Sequence, residues 1–133
     1  MNNFIFADLI TRIRVGYKAR LLSIKVLKNK LTINFLFLLY KIGLIRSFHI
    51  LNNEKNILVY LKYKNGKPVI YSLELISKPS RRVYWSLNVL SQNYRKYAFS
   101  TFYIISTSKG LITSNDALWN YNISGEILCK IKI

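Results

Sequence analysis

The sequence has few of the residues that catalytic and metal sites need. Its 133 residues include one cysteine, one histidine and five carboxylates, and no two of the carboxylates are close in sequence. Cys129 alone cannot form an internal disulfide, and one cysteine with His49 cannot build a zinc site. The five glycines are scattered, so there is no glycine-rich phosphate loop. These absences predict a protein that is not an enzyme and holds no metal or cofactor.

The sequence also lacks a long apolar run. Its most apolar stretch, residues 31–45, contains Asn34 and Lys41 and is shorter than the roughly 20 residues of a membrane-spanning helix. We therefore expect no membrane insertion. The first residues show neither a cationic leader nor a small-residue cleavage site, so we expect no signal or transit peptide. Cys129 lies in an apolar strand pattern, which predicts a buried thiol.

What the chain has in excess is positive charge. Lysine and arginine number 21, against five carboxylates, for a net charge of +16. A globular chain with this charge repels itself unless a polyanion neutralises it. The basic residues recur along the whole chain, which favours a folded protein embedded in nucleic acid. The alternatives are a basic protein at an anionic membrane surface and a DNA-binding module.

The apolar pattern predicts an α/β chain of the α+β type with two small domains. An αβαββ unit covers residues 1–65, and a mostly β unit with a short helix covers residues 66–133. In the first unit we predict helices over 3–16 and 29–43 and strands over 22–26, 47–51 and 56–63. In the second unit we predict strands over 69–76, 82–84, 99–105 and 127–133, and short helices over 86–97 and 115–121.

Helical spacing also predicts which side chains reach the core. For the first helix they are Phe6, Leu9, Ile10 and Ile13, and for the second they are Leu31, Phe35, Leu38, Leu39 and Ile42. Asn3 and Ser114 are predicted helix caps, and Gly16 and Gly43 are predicted helix ends. In the last strand, alternation predicts that Ile127, Cys129, Ile131 and Ile133 share the core face.

Two motifs carry the chemistry that is present. The run Ser106, Thr107, Ser108, Lys109 and Gly110 leaves an apolar strand pattern. Its hydroxyls can read the edges of unpaired bases, although such a run more often only forms a turn. The second motif, residues 81–85, places two guanidinium groups beside two aromatic rings. It is either a base-stacking site or an edge strand with packed rings. Their occurrence together in a chain of charge +16 favours RNA binding.

These residues resemble, in order, small-subunit ribosomal protein eight of the bacterial and organellar type. Residues 7–16 are similar to the opening helix of that family, and residues 77–84 are similar to its Ser-Arg-Pro-Gly-x-Arg-Ile-Tyr segment. Residues 106–110 match its Ser-Thr-Ser-x-Gly loop, and residues 125–129 match its closing strand. Two departures are Val15, where the family has a polar residue, and Ser80, where it has glycine.

The resemblance implies two α/β domains that bind the central domain of small-subunit ribosomal RNA early in assembly, beside neighbouring small-subunit ribosomal proteins. It implies no small-molecule substrate and no homo-oligomer. Contacts to an irregular internal loop of the RNA are assigned to Ser106, Thr107, Ser108, Tyr84 and Glu126, and we add the cations Lys109 and Arg82. Contacts to the backbone of a second RNA helix are assigned to Thr11, Arg12, Arg14 and Lys30.

Two further expectations concern a basic stretch and the source of the chain. Residues 88–100 are longer and more basic than the usual connection of the family, so we hypothesise that Tyr94, Arg95, Lys96 and Tyr97 add an RNA contact. The sequence is rich in residues with A/T-rich codons, including 10 tyrosines and 7 phenylalanines. This composition predicts a protein encoded in an organelle genome and working in a mitochondrial ribosome. A plastid or a reduced-genome bacterium is the alternative.

Overall fold

The computed structural model describes residues 3–50, 55–96 and 100–133. In this part of the chain every strand pairing is antiparallel, so the predicted α+β class is confirmed. The elements in chain order are α1 (Asn3–Lys18), β1 (Ser23–Leu27), α2 (Lys30–Ile42), β2 (Ile45–Ile50), β3 (Asn56–Leu61), β4 (Tyr63–Lys64), β5 (Lys67–Pro68), β6 (Ser72–Leu75), α3 (Leu87–Lys96), β7 (Thr101–Thr107), β8 (Gly110–Thr113), α4 (Ser114–Asp116), a π-helical turn (Ala117–Tyr121) and β9 (Glu126–Lys132).

The chain divides into two compact units, Met1–Ile70 and Tyr71–Ile133. The first contains a three-stranded sheet in the order β1-β3-β2 and the short β4–β5 hairpin. The second contains a four-stranded sheet in the order β6-β9-β7-β8. The domain boundary predicted between residues 65 and 66 lies in the turn of the β4–β5 hairpin, which belongs to the first unit.

Helix α1 buries the face that helical spacing predicts. Phe6, Leu9, Ile10 and Ile13 are all at most 2% exposed. The ring of Phe6 meets that of Phe35 on α2 edge to face, with centroids 5.1 Å apart. Burial of these side chains stabilises the unit by roughly 1.5–3 kcal/mol for each large one.

The end of α1 differs from the prediction because Gly16 does not stop the helix, which continues to Lys18. A Cβ atom at Gly16 would lie 2.7 Å from Cγ2 of Ile24 on β1. Glycine is needed here because the helix approaches the strand closely. Asn3 is the first residue of α1, and its predicted capping side chain lies outside the described part.

Helix α2 begins and ends where predicted. Oδ1 of Asn29 accepts a hydrogen bond from the backbone N–H of Leu31, and Gly43 ends the helix with a φ of 96°. The predicted core face is partly wrong, because the buried residues are Thr32, Phe35, Leu36 and Leu39. Leu31 and Leu38 are half-buried and Ile42 is exposed. Almost every side of this helix is apolar, so periodicity alone could not select the stripe that meets the sheet.

Strands β1 and β3 of the first unit alternate between more and less buried side chains. In β1, Ile24 and Val26 are buried and Lys25 is exposed. In β3, Ile57, Val59 and Leu61 face the core. Strand β2 begins at Ile45, two residues earlier than predicted. Its predicted end, residue 51, lies outside the described part.

A buried phenol links α1 to two other segments of the first unit. The hydroxyl of Tyr17 donates a hydrogen bond to the backbone oxygen of Leu44 (2.8 Å) and accepts one from the backbone N–H of Lys62 (3.3 Å). Burial disfavours the charged phenolate and raises the pKa of Tyr17 from 10.0 to about 12, although the hydrogen bond from Lys62 partly opposes the shift. The phenol therefore stabilises the fold in its neutral form.

We expect Tyr17→Phe to lower the free energy of unfolding at neutral pH by about 1–3 kcal/mol, because two backbone groups lose their partner. The contribution of the phenol is full below pH 10 and is lost as the pH rises towards 12, because the unfolded chain releases the proton first. Urea unfolding of wild type and Tyr17→Phe should therefore show a difference in the free energy of unfolding that shrinks above pH 10. The control is Tyr121→Phe, since that tyrosine is exposed. Parallel pH profiles of wild type and Tyr17→Phe would contradict the assignment.

One core cluster of the second unit packs on the β6-β9-β7-β8 sheet. The core cluster comprises Leu90, Tyr103, Ile105, Ile112, Ala117 and Ile127. Leu90 comes from α3 and Ala117 from the π-helical turn, so both elements pack on the sheet. Cys129 is fully buried as predicted, and burial raises the pKa of its thiol. The predicted core face of β9 is wrong at its end, because Ile133 is half exposed.

Other sequence predictions for this unit need correction. Residues 82–84 form no strand but only an isolated bridge between Tyr84 and Glu126. The strand predicted over 69–76 is limited to β6, and β8 was not predicted. The cap of α4 is Thr113, not Ser114, because Oγ1 of Thr113 accepts from the N–H of Asp116 (3.3 Å). The buried Ser114 hydroxyl instead accepts from the N–H of Tyr103.

Candidate nucleic-acid interface

The hydroxyl turn, which comprises Ser106, Thr107, Ser108 and Lys109, joins β7 to β8. Thr107 pairs with Gly110 across the hairpin. Its Oγ1 accepts a hydrogen bond from the N–H of Lys109 (3.1 Å) and donates one to the oxygen of Gly110 (3.0 Å). Thr107 therefore holds the turn in shape. The hydroxyls of Ser106 and Ser108 make no hydrogen bond within the described residues, and Ser108 and Lys109 are exposed. These groups are available to a ligand.

Glu126, the first residue of β9, joins the hydroxyl turn to a second segment. It lies opposite Ser106 in the β7–β9 register and forms the isolated bridge with Tyr84. Its carboxylate is only 5% exposed. Oε2 accepts a hydrogen bond from the Ser77 hydroxyl and lies 3.5 Å from Nη1 of Arg82. A buried carboxylate with these partners orients the groups around it.

The segment from Arg82 to Trp85 runs beside the start of β9 and is held by its backbone. The N–H of Ile127 donates to the oxygen of Val83 (2.9 Å), and the N–H of Trp85 donates to the oxygen of Gly125 (3.4 Å). Residues in this extended segment alternate in direction. The Trp85 ring packs edge to face on Tyr103 at 5.1 Å, whereas Tyr84 is 66% exposed. Of the two rings, only that of Tyr84 is presented to solvent for stacking.

Two residues without a predicted role, Gly125 and Ser77, hold this arrangement together. A Cβ atom at Gly125 would lie 2.2 Å from the backbone oxygen of Ser106, so glycine permits the close approach of the two segments. Ser77 is buried, and its Oγ accepts from the N–H of Val83 (3.2 Å) while it donates to Glu126. No local sequence signal marks either role, because both depend on partners from distant parts of the chain.

The structure thus brings seven of the predicted site residues together at the start of β9: Ser106, Thr107, Ser108, Lys109, Arg82, Tyr84 and Glu126. The exposed groups are hydroxyls, one phenol ring and cations, and the carboxylate is buried beneath them. Hydroxyls and an exposed ring match the edges and faces of unpaired bases, and cations match phosphates.

The four predicted residues of the first unit are less closely grouped. Thr11, Arg12 and Arg14 lie on α1, and Lys30 is the first residue of α2. Nε of Arg12 lies 2.8 Å from Oδ2 of Asp8, and its Nη1 donates to the backbone oxygen of Lys25 (2.8 Å). The Thr11 hydroxyl donates to the oxygen of Ala7, one turn back.

Arg14 and Lys30 are exposed, and neither makes a hydrogen bond or ion pair through its side chain within the described ranges. Their charges are therefore free for phosphate, whereas Arg12 is already engaged.

The described residues contain no group of three or more His, Cys, Asp and Glu side chains placed to hold a metal ion. His49 is exposed on β2, where its ring meets that of Tyr60 edge to face at 5.5 Å. Within the same residues, none of the helices combines the length and the apolar character needed to span a bilayer.

Fold and site together define a basic α+β protein whose exposed groups suit RNA. The family model for ribosomal protein S8 matches residues 5–131. The chain belongs to the ribosomal protein S8 family, so it is a ribosomal structural protein and not an enzyme.

Three relatives show how far the similarity extends. The small ribosomal subunit protein uS8m of Acanthamoeba castellanii is 42% identical over 127 residues, which cover 96% of this chain and 98% of the relative. The small ribosomal subunit protein uS8c of Gracilaria tenuistipitata is 39% identical over 98% of this chain and 99% of its own. For the uS8 protein of Rhodospirillum centenum the identity is 35%, over 93% of each chain. The resemblance inferred from the sequence is confirmed.

Proposed function

We propose that this chain is a structural constituent of the small ribosomal subunit that binds the central domain of small-subunit ribosomal RNA and scaffolds assembly beside neighbouring ribosomal proteins. The observation that carries the proposal is the cluster at the start of β9. There the hydroxyl turn and the segment that presents the Tyr84 ring both pair with the backbone of Glu126, whose buried carboxylate lies beside Arg82.

Affinity and site selection come from different groups in this proposal. Dispersed lysines and arginines neutralise phosphates and supply most of the binding free energy, which makes binding salt-dependent. Ser106 and Ser108 hydrogen-bond the edges of unpaired bases, and Tyr84 stacks on a base face. Glu126 orients Arg82 and so shapes the site from beneath. The target is an irregular internal loop, because an unbroken RNA duplex hides its base edges in a deep, narrow groove.

The first unit contributes contacts to the RNA backbone in the same proposal. Arg14 and Lys30 carry charges that no described residue pairs, so they are the stronger contributors. Thr11 and Arg12 line a shallow groove of about 460 Å³ together with Val15 and Lys25. Because Arg12 is held by Asp8 and by the backbone of β1, we assign it a smaller share of the affinity.

The test compares two double variants on two RNAs. Ser106→Ala with Ser108→Ala should weaken binding to a hairpin that carries the internal loop roughly tenfold, because about 1–2 kcal/mol of hydrogen bonding is lost. It should leave binding to a scrambled hairpin unchanged. Arg14→Gln with Lys30→Gln should weaken both RNAs alike and reduce the salt slope by about 2. Filter binding over a salt series measures both effects. Equal losses on the two RNAs from the serine variant would rule out site selection by the hydroxyl turn.

We further propose that the chain works in a mitochondrial ribosome. The similarity to a mitochondrial uS8m and the abundance of residues with A/T-rich codons support this location. The plastid and bacterial relatives represent the alternatives. Finding the gene in a mitochondrial, plastid or bacterial genome distinguishes the three.

A further inference from the structure

A groove of about 430 Å³ lies between α3 and the π-helical turn of the second unit. Helix α3 contributes Asn88, Tyr94 and Arg95 to its lining, and Trp119 and Asn122 come from the π-helical turn and the residue after it. We call this cavity the α3 groove. It shares no residue with the hydroxyl turn or with the partners of Glu126.

The backbone of the π-helical turn holds Trp119 outside the core. Ala117 is buried and Leu118 packs against the core cluster, which leaves Trp119 74% exposed. The turn ends at Asn122, whose φ is 52°, and the N–H of Ile123 donates to the oxygen of Ala117 (3.2 Å). The exposed indole offers a flat apolar face and one N–H donor to a partner at the edge of the α3 groove.

The chemistry of the lining selects one class of partner. Two aromatic rings can stack on a flat ring, and the amides of Asn88 and Asn122 each donate and accept hydrogen bonds. Arg95 is exposed and adds a positive charge. Among the described residues no carboxylate lines the groove, and Asp116, which precedes the π-helical turn, accepts a hydrogen bond from Asn120 (2.8 Å). Rings, amides and a cation without a carboxylate match a nucleobase and its phosphate.

We infer that the α3 groove holds an unpaired nucleotide of RNA, with its base stacked on Trp119 and its phosphate at Arg95. RNA is favoured over a protein partner because the chain carries a net charge of +16 and the groove offers both a base platform and a phosphate cation. The sequence-based hypothesis anticipated Tyr94 and Arg95 but not Trp119. The side chain of Lys96 and all of Tyr97 lie outside the described residues.

The chain has only two tryptophans, which allows a direct spectroscopic test. Trp85→Phe leaves Trp119 as the reporter, and Trp119→Phe leaves the packed Trp85 as the matched control. The probe is a single-stranded adenine-rich RNA of about eight nucleotides. We expect its binding to quench the fluorescence of the Trp85→Phe protein and to leave that of the Trp119→Phe protein nearly unchanged. Arg95→Gln should lower the RNA affinity measured from this quenching roughly fivefold. It should also lower the salt slope of that affinity by about 1.

A second measurement does not depend on how well either variant folds. Photocrosslinking of the same RNA to the wild-type chain, followed by peptide mapping, should identify Trp119 or Tyr94. Binding without quenching in Trp85→Phe, or crosslinks confined to the hydroxyl turn, would overturn the inference. If a ribosomal protein and not RNA covers the α3 groove, the inference is wrong and the groove docks a protein.

The outcome is separable from that of the proposed function. The Ser106→Ala, Ser108→Ala protein should keep the quenching of Trp119 by single-stranded RNA. Conversely, Trp119→Phe should keep the preference for the internal-loop hairpin over its scrambled form. If only the quenching of Trp119 is absent, the inference about the α3 groove is wrong. If only the preference for the internal-loop hairpin is absent, the proposed role of the hydroxyl turn is wrong.

Discussion

Replacing Gly125 by alanine is expected to lower the free energy of unfolding by about 2–3 kcal/mol and to abolish the preference for internal-loop RNA. The new methyl carbon would lie 2.2 Å from the backbone oxygen of Ser106, 3.2 Å from its carbonyl carbon and 3.4 Å from Cα of Thr107. These atoms belong to the backbone, so no side-chain rotation relieves the clash. The end of β7 must move away from the start of β9, and the hydroxyl turn then loses its position beside Glu126.

The matched control for this variant is Gly110→Ala in the β7–β8 hairpin. No atom lies within 4 Å of a Cβ built at Gly110, but its φ of 97° is unfavourable for alanine. The control should therefore cost about 1 kcal/mol through backbone strain alone. Urea unfolding and filter binding of both variants measure the difference. If Gly125→Ala is no more harmful than Gly110→Ala, close approach to Ser106 is not what holds the site.

Replacing Glu126 by alanine is expected to lower the free energy of unfolding by about 2–3 kcal/mol and to weaken binding to the internal-loop hairpin roughly tenfold. Ser77 loses its acceptor and Arg82 loses its carboxylate partner. The Arg82 side chain is 37% exposed, so water screens the ion pair and most of the loss comes from the buried hydrogen bond. Ser77 Oγ also accepts a hydrogen bond from the N–H of Val83. Without Glu126 to orient Ser77, we expect the segment that presents Tyr84 to become less ordered.

Two further variants test whether the buried position and the charge of Glu126 are what matter. Glu74→Ala removes an exposed carboxylate on β6 and should change stability by less than about 0.5 kcal/mol. Glu126→Gln keeps an acceptor for Ser77 but removes the negative charge, so it should retain most of the stability and lose the ordering of Arg82. Urea unfolding gives the stability, and filter binding gives the affinity. Similar results for Glu126→Ala and Glu74→Ala would show that the buried carboxylate does not organise the site.

Features that depend on neighbours in sequence were predictable. The core face of α1 follows from its helical spacing, and both ends of α2 follow from the capping chemistry of Asn29 and Gly43. The exposed Lys25 of β1 follows from alternation. Each of these depends on residues only a few positions apart, so the local pattern carries the information.

Features that depend on distant partners were missed or wrong. The uniformly apolar surface of α2 could not show which stripe meets the sheet. Gly16 looked like a helix end because its reason for being glycine, the approach to Ile24, lies in another element. Residues 82–84 looked like a strand, but they form only the isolated bridge of Tyr84 with Glu126. The N–H of Val83 donates to the Ser77 hydroxyl and not to a neighbouring strand.

The sequence by itself determined that this chain is a basic, non-catalytic member of a ribosomal family. Its charge and its scarcity of reactive side chains follow from the amino-acid composition, and the order of its motifs follows from the order of residues along the chain. It also singled out the hydroxyl turn. Only the tertiary structure decided which hydroxyls of that turn are available, through the use of Thr107 inside the hairpin. It also decided the burial of Ser77, the close approach at Gly125 and the exposure of Trp119, because these arise only when segments far apart in the chain are packed together.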